Sequence, residues 1–326
     1  MINTDLKDIS ILILLKLGLA SLLFYFLGIV FKQNLFLYPD FTTIYSNCSQ
    51  FYSNIFYTQI LCAINLFDGS ALLPSSNIAI ALAALINIFV IVSYYQLSKK
   101  YLNRSGQILF ILMLALHPYM AIYFFRFYTE VFASLGILLI FFYGINNRKV
   151  DLLFIFLSIF LMNTRNGLIP VFFLFGIIEI VKSLKNNNDN YTFLLILLIS
   201  CLISYIPVSS FSKDFAELGA YFNIIENVFY TFGFRESVAI DGIGILLKIG
   251  FYGYLQLIIG LLFIIIHLIG LLGLLKFSIK INSSILSILI YLIIPIFVIS
   301  HMRYLLPLMP LILLGFCMFF YKKKPI

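Results

Sequence analysis

Long apolar stretches, parted by short polar breaks, recur along the whole chain. Ten of them read as membrane spans, at about residues 9–31, 77–97, 106–124, 128–146, 150–163, 167–184, 192–209, 247–275, 283–300 and 304–321. Each except the fifth approaches the ~20 apolar residues that a bilayer core requires. The fifth is short, and only Thr164-Arg165-Asn166-Gly167 parts it from the sixth, which predicts a tight or re-entrant hairpin. The pattern predicts an all-α fold: a polytopic transmembrane helical bundle forming one integral-membrane domain over 1–326, with long loops at about 32–76 and 210–246. Within the first loop, NIFYTQILCAINLF (54–67) predicts an amphipathic helix lying on the membrane surface. The first span is too long for a signal-peptide core and lacks a small-x-small cleavage site, so it is read as retained.

Composition strengthens this picture. The chain is 63% hydrophobic and 10% charged, with a mean hydropathy of +1.09, more apolar than a soluble core of this size absorbs. Its net charge of +8 is scattered between apolar segments rather than gathered in one patch. That excludes a nucleic-acid face and reads as a topology signal. With the N-terminus inside, thirteen of the 21 Lys and Arg residues fall on its side and seven on the other, with Lys16 inside the first span. The bias predicts both termini in the cytoplasm. The sequence contains no GxxxxGK[ST] motif, and it has no internal repeat of the kind that secondary transporters are built from.

The minority side carries the candidate chemistry. Four of the six arginines, Arg126, Arg165, Arg235 and Arg303, fall outside, where the topology rule disfavours them. Fork-like recognition of phosphate or carboxylate explains arginine there better than topology does. HPYMAIYFFRFYTE (117–130) forms the outer tip of the third and fourth spans. On a helix Arg126 and Glu130 would share a face, either neutralising each other or with Arg126 holding a phosphate that Glu130 orients. MNTRNGLIP places Arg165 at the outer end of the short fifth segment, as a phosphate ligand or a polar turn. HMRYLLPLMP brings His301, Arg303 and Tyr304 to the start of the last span, as ligands or as an interfacial belt, and Pro307 and Pro310 predict a kink. LYPDFTTIY places Asp40, the one acid between Asp8 and Asp68, just after the first span. A carboxylate there could serve as general base, help hold a divalent cation, or only start a turn. His267 reads as a packing histidine; Lys16 and Glu179 are the span charges away from the outer face. The four cysteines have no metal spacing; Cys48 and Cys62 share a loop and could pair in an oxidising compartment, with free thiols the simpler expectation.

In this plan, YPDFTTIY, HPYMAIYFFRFYTEVFASL, FLMNTRNGLIPVFF and RYLLPLMPLILL resemble motifs of the GT-C superfamily of polytopic glycosyltransferases. They resemble, in turn, its first-loop acidic motif, an Arg-x-x-x-Glu-like segment, a basic-Gly hairpin and an Arg-Tyr-x-x-Pro start of a late span. The resemblance implies transfer of a sugar from a polyprenyl-phosphate donor to a glycan, lipid or protein acceptor on the extracytoplasmic face. Asp40 would be the base or acceptor-orienting carboxylate. Arg303, with Arg126 and Arg165, would bind the lipid phosphate, beside Glu130, His301 and Tyr304. The reaction implied is an inverting displacement at the anomeric carbon, with the leaving phosphate stabilised by cations. Many members carry two acids near the first loop and only Asp40 fits here, so a divalent cation is optional. A surface-polysaccharide polymerase and a non-enzymatic flippase or transporter are the alternatives. A bacterial cytoplasmic membrane is the expected location, or the endoplasmic reticulum in a eukaryote.

Overall fold

The structure, a computed structural model, describes residues 2–30, 55–68, 77–185, 191–210, 251–280, 283–292 and 302–321. Asp40, Cys48, His301 and nearly all of the predicted outer loop at 210–246 lie outside them. The described residues are helical, with no β-strand among them. In chain order the helices are α1 (Ile2–Val30), α2 (Ile55–Asp68), α3 (Asn77–Ser98), α4 (Arg104–Leu116), α5 (Pro118–Ile122) and α6 (Thr129–Ile145). There follow α7 (Leu152–Thr164), α8 (Ile169–Lys185), α9 (Tyr191–Ser210), α10 (Phe251–Lys280), α11 (Leu286–Leu289) and α12 (Met309–Tyr321). A 3-10 turn, Asn166–Leu168, opens α8, and another, Met302–Leu308, leads into α12.

Local chemistry sets the ends of these helices. Asn103 caps α4 by accepting from the Gly106 N–H at 2.8 Å, and Asp151 caps α7 by accepting from the Phe154 N–H at 2.8 Å. Between α6 and α7 the chain turns at Asn147, whose φ of 47° is the left-handed conformation that asparagine tolerates after a helix end. The α10–α12 contact depends on glycine. A Cβ added to Gly273 would collide with the Gly315 carbonyl, and one on Gly315 with the Gly270 carbonyl. Small residues at such a crossing let two backbones touch.

Two predicted spans are not continuous helices. The third was expected at 106–124, but α4 stops at Leu116 because Pro118 disfavours a helical His117, which is extended at φ −65°, ψ 115°. The ninth, in its described part, alternates short turns: 3-10 at Ser283–Ile285, α11, then 3-10 at Ile290–Leu292. The kink expected from Pro307 and Pro310 takes the form of a 3-10 segment that holds Pro307 and gives way to α-helix at Met309. The helix expected at 54–67 is present as α2, and its Tyr57, Leu61 and Ile64 are buried in the main core. Ile78–Ser98 and Asn166–Lys185 are each long and apolar enough to cross a membrane, and shorter apolar helices accompany them among the described residues.

Large apolar side chains lie on the surface of the described residues, and a few charged and polar groups are set inside a largely apolar core. Leu14, Leu152 and Phe156 are 68–70% exposed, whereas Lys16, His117, Arg126, Glu130 and His267 are buried.

Candidate functional site

The interruption between α4 and α6 builds the site. From Tyr123 to Tyr128 the chain is not helical, and its backbone carbonyls take side-chain partners from neighbouring helices. Asn87 of α3 donates to the Phe124 carbonyl at 2.9 Å, and the Tyr57 hydroxyl of α2 donates to the Phe127 carbonyl at 2.7 Å. Buried irregular backbone persists only where its polar groups are satisfied in this way. Within the segment, the Arg126 guanidinium lies over the Tyr123 ring, 4.9 Å from its centre.

Helix α6 begins at Thr129, three residues after Arg126, too late for a shared helical face. Tyr128 is extended at φ −103°, ψ 165°, so Arg126 precedes the helix while Glu130 sits in its first turn. The expected i,i+4 pairing of Arg126 and Glu130 on one helix face is therefore corrected. Both side chains are buried. Carboxylates are favoured at a helix N-terminus, and Glu130 also has Arg165 Nη2 at 3.5 Å from its Oε1. Arg165 Nη1 donates to the Thr129 hydroxyl at 3.1 Å, and that hydroxyl donates to Glu130 Oε2 at 3.2 Å. Arg165 thus backs Glu130 from the α7–α8 hairpin, and it is not among the residues lining the adjoining cavity.

That cavity is small, with a volume of about 30 Å³. Arg126, Glu130, Lys16, Asn87, Tyr123, Tyr128 and Ser134 supply its polar lining, and Leu306 and Pro310 close one side. Leu306 belongs to the 3-10 segment Met302–Leu308, so the backbone of Arg303 and Tyr304 lies within one turn of the cavity. The structure thereby brings Arg126, Glu130 and Arg165 together and sets the Arg303–Tyr304 backbone beside them. Asp40 and His301 lie outside the described residues. Among those residues no cluster of three or more His, Cys, Asp or Glu side chains is arranged to hold a metal ion.

Sequence reasoning gave too little weight to Lys16 and His117. Lys16 donates to the carbonyls of Leu114 at 3.0 Å and His117 at 3.3 Å, capping the end of α4. His117 Nε2 lies 3.1 Å from His267 Nε2 of α10. The Met120 N–H lies 3.5 Å from His117 Nδ1. His267 is buried, as expected of a packing histidine, but its partner was not foreseen. A lone lysine in an apolar span and a histidine before proline were the available signals.

No protein-family model matches the chain, and comparison with curated proteins and with solved structures gave no match.

Proposed function

We propose that the chain is a multi-pass membrane glycosyltransferase that takes a sugar from a polyprenyl-phosphate donor on the extracytoplasmic face. The observation that carries this reading is a cavity lined by Arg126, Lys16 and Glu130 among described residues that are helical and expose large apolar side chains. Leaving Leu152, Phe156 and their like in water is unfavourable by about 25 cal/mol per Å² of apolar surface, a cost that lipid removes. Cys62 is disulfide-bonded, which suits an extracytoplasmic position for α2, while Cys201 and Cys317 are free. In this scheme Arg126 binds the lipid phosphate with Arg303, and Glu130 and Arg165 fix its surroundings. Charge that develops on the leaving phosphate meets preorganised cations in a site of low polarity, where they act most strongly. Asp40 is the proposed base, with His301 and Tyr304 contacting substrate.

The test is transfer by purified protein from a polyprenyl-phosphate sugar to an acceptor. Asp40→Asn is expected to abolish transfer with folding retained. Full activity in that variant would remove Asp40 from the scheme, and no turnover with any such donor would remove the reaction class. A flippase or transporter is the second reading, favoured by Lys16 and the His117–His267 pair, buried charge and polarity within the helices. Passage of labelled lipid across vesicles without sugar transfer would select it.

A further inference from the structure

Lys16 lies midway along α1, and its neighbours one turn away on either side, Leu12 and Ala20, are fully buried. The helix register therefore turns the lysine inward, and the side chain is 0% exposed. A structural lysine at this place would cap the end of α4, and Lys16 does so with two of its three N–H donors. Capping leaves one donor and part of the charge over. A helix C-terminus offers roughly half an elementary charge, and burial makes the remainder costly without a counter-ion. Among the described residues Lys16 makes no ion pair. Glu130, the carboxylate that lines the same cavity, has Arg165 beside it.

We propose that Lys16 is an anion-binding side chain of the cavity, which with Arg126 receives a phosphate group entering between α1, α3 and α6. One lysine then serves two partners: the α4 carbonyls, which hold its ammonium in place, and the bound anion, which neutralises it. That the anion belongs to a polyprenyl phosphate rests on the transferase reading; the anion site itself does not.

Purified protein in nanodiscs, titrated with undecaprenyl phosphate, inorganic phosphate and neutral undecaprenol, tests this. Wild type is compared with Lys16→Gln, which keeps N–H donors for the two carbonyls, and with Lys16→Arg, which restores the charge. Lys16→Gln is expected to weaken phosphate binding about tenfold or more and Lys16→Arg to stay within about threefold. Binding confined to the lipid assigns the site to a headgroup; equal, Lys16-dependent binding of inorganic phosphate assigns it to a soluble anion. Wild-type affinity in Lys16→Gln, or equal binding of undecaprenol, overturns the proposal. Should Lys16→Gln fail to fold, solid-state NMR of wild type labelled at lysine 15Nζ decides. A 15N–31P coupling to bound phosphate is expected, and its absence contradicts the site. Lys16-dependent binding without sugar transfer would end the transferase reading alone; active transfer with undiminished phosphate binding by Lys16→Gln would end this inference alone.

Discussion

Asp8 and Lys16 lie two turns apart on the inward face of α1, roughly 12 Å along the axis, and meet opposite surroundings. Asp8 accepts two bonds from Arg104 of α4, one of them 2.9 Å long, and a third from the Tyr95 hydroxyl of α3 at 2.7 Å. The carboxylate is matched by a bidentate guanidinium, and three helices are clasped at one end. Lys99 faces Asp5 at 3.0 Å, and within α8 Lys182 faces Glu179 at 2.9 Å, with the Ser284 hydroxyl donating to the same carboxylate. Lys16, by contrast, meets carbonyl groups and a cavity that Arg126 also lines. Charge matched within the protein holds helices together; charge held against dipoles beside a cavity is available to a ligand.

The largest expected effect tests the cavity half of this contrast. Arg126→Gln should lower sugar transfer about 100-fold or more, the scale of losing a donor aimed at developing charge, while melting stays near wild type. Near-normal transfer would move the phosphate elsewhere. Asp8→Asn should do the reverse, leaving transfer within about twofold and costing about 1 kcal/mol in thermal or denaturant unfolding. The figure is kept low because Arg104 is more than half exposed.

Acid should show the same clasp from another side. Hydrogen bonding from Arg104, only partly opposed by burial, holds the Asp8 carboxyl below its ordinary value, and Tyr95 adds to this. A group with a depressed folded value contributes stability that is present above the unfolded value of about 3.9 and disappears as pH falls through the folded one. The melting difference between wild type and Asp8→Asn should therefore be full at pH 6 and narrow steadily below about pH 4. An undiminished difference at pH 3 would count against the ion pair. The smallest effect belongs to Lys99→Ala at the exposed Asp5 pair, no more than about 0.5 kcal/mol.

The helices legible in the sequence were those decided by local composition. The apolar run expected at 128–146 is α6 at Thr129–Ile145, and that at 192–209 is α9 at Tyr191–Ser210. Hydrophobicity alone carried the third run past Leu116, where Pro118 stops the helix, a local signal outweighed by the apolar residues beyond it. The site was half legible. Arg126, Glu130 and Arg165 were marked by their cost in an apolar setting, yet the approach of Arg165 to Glu130 was not foreseen. A contact four residues away can be read from helix geometry, whereas Arg165 reaches Glu130 only through the packing of α7 beside α6. Lys16 and His117, or His117 and His267, are still more distant in sequence, and no periodicity announces such pairs.

The most direct measurement is an experimental density map of the full chain in a lipid nanodisc with undecaprenyl phosphate bound. The account predicts the phosphate inside the cavity, within hydrogen-bonding distance of Arg126 and of Lys16 Nζ, with Asp40 facing the same space. A headgroup seated away from both cations, or Asp40 on another face of the bundle, would contradict it.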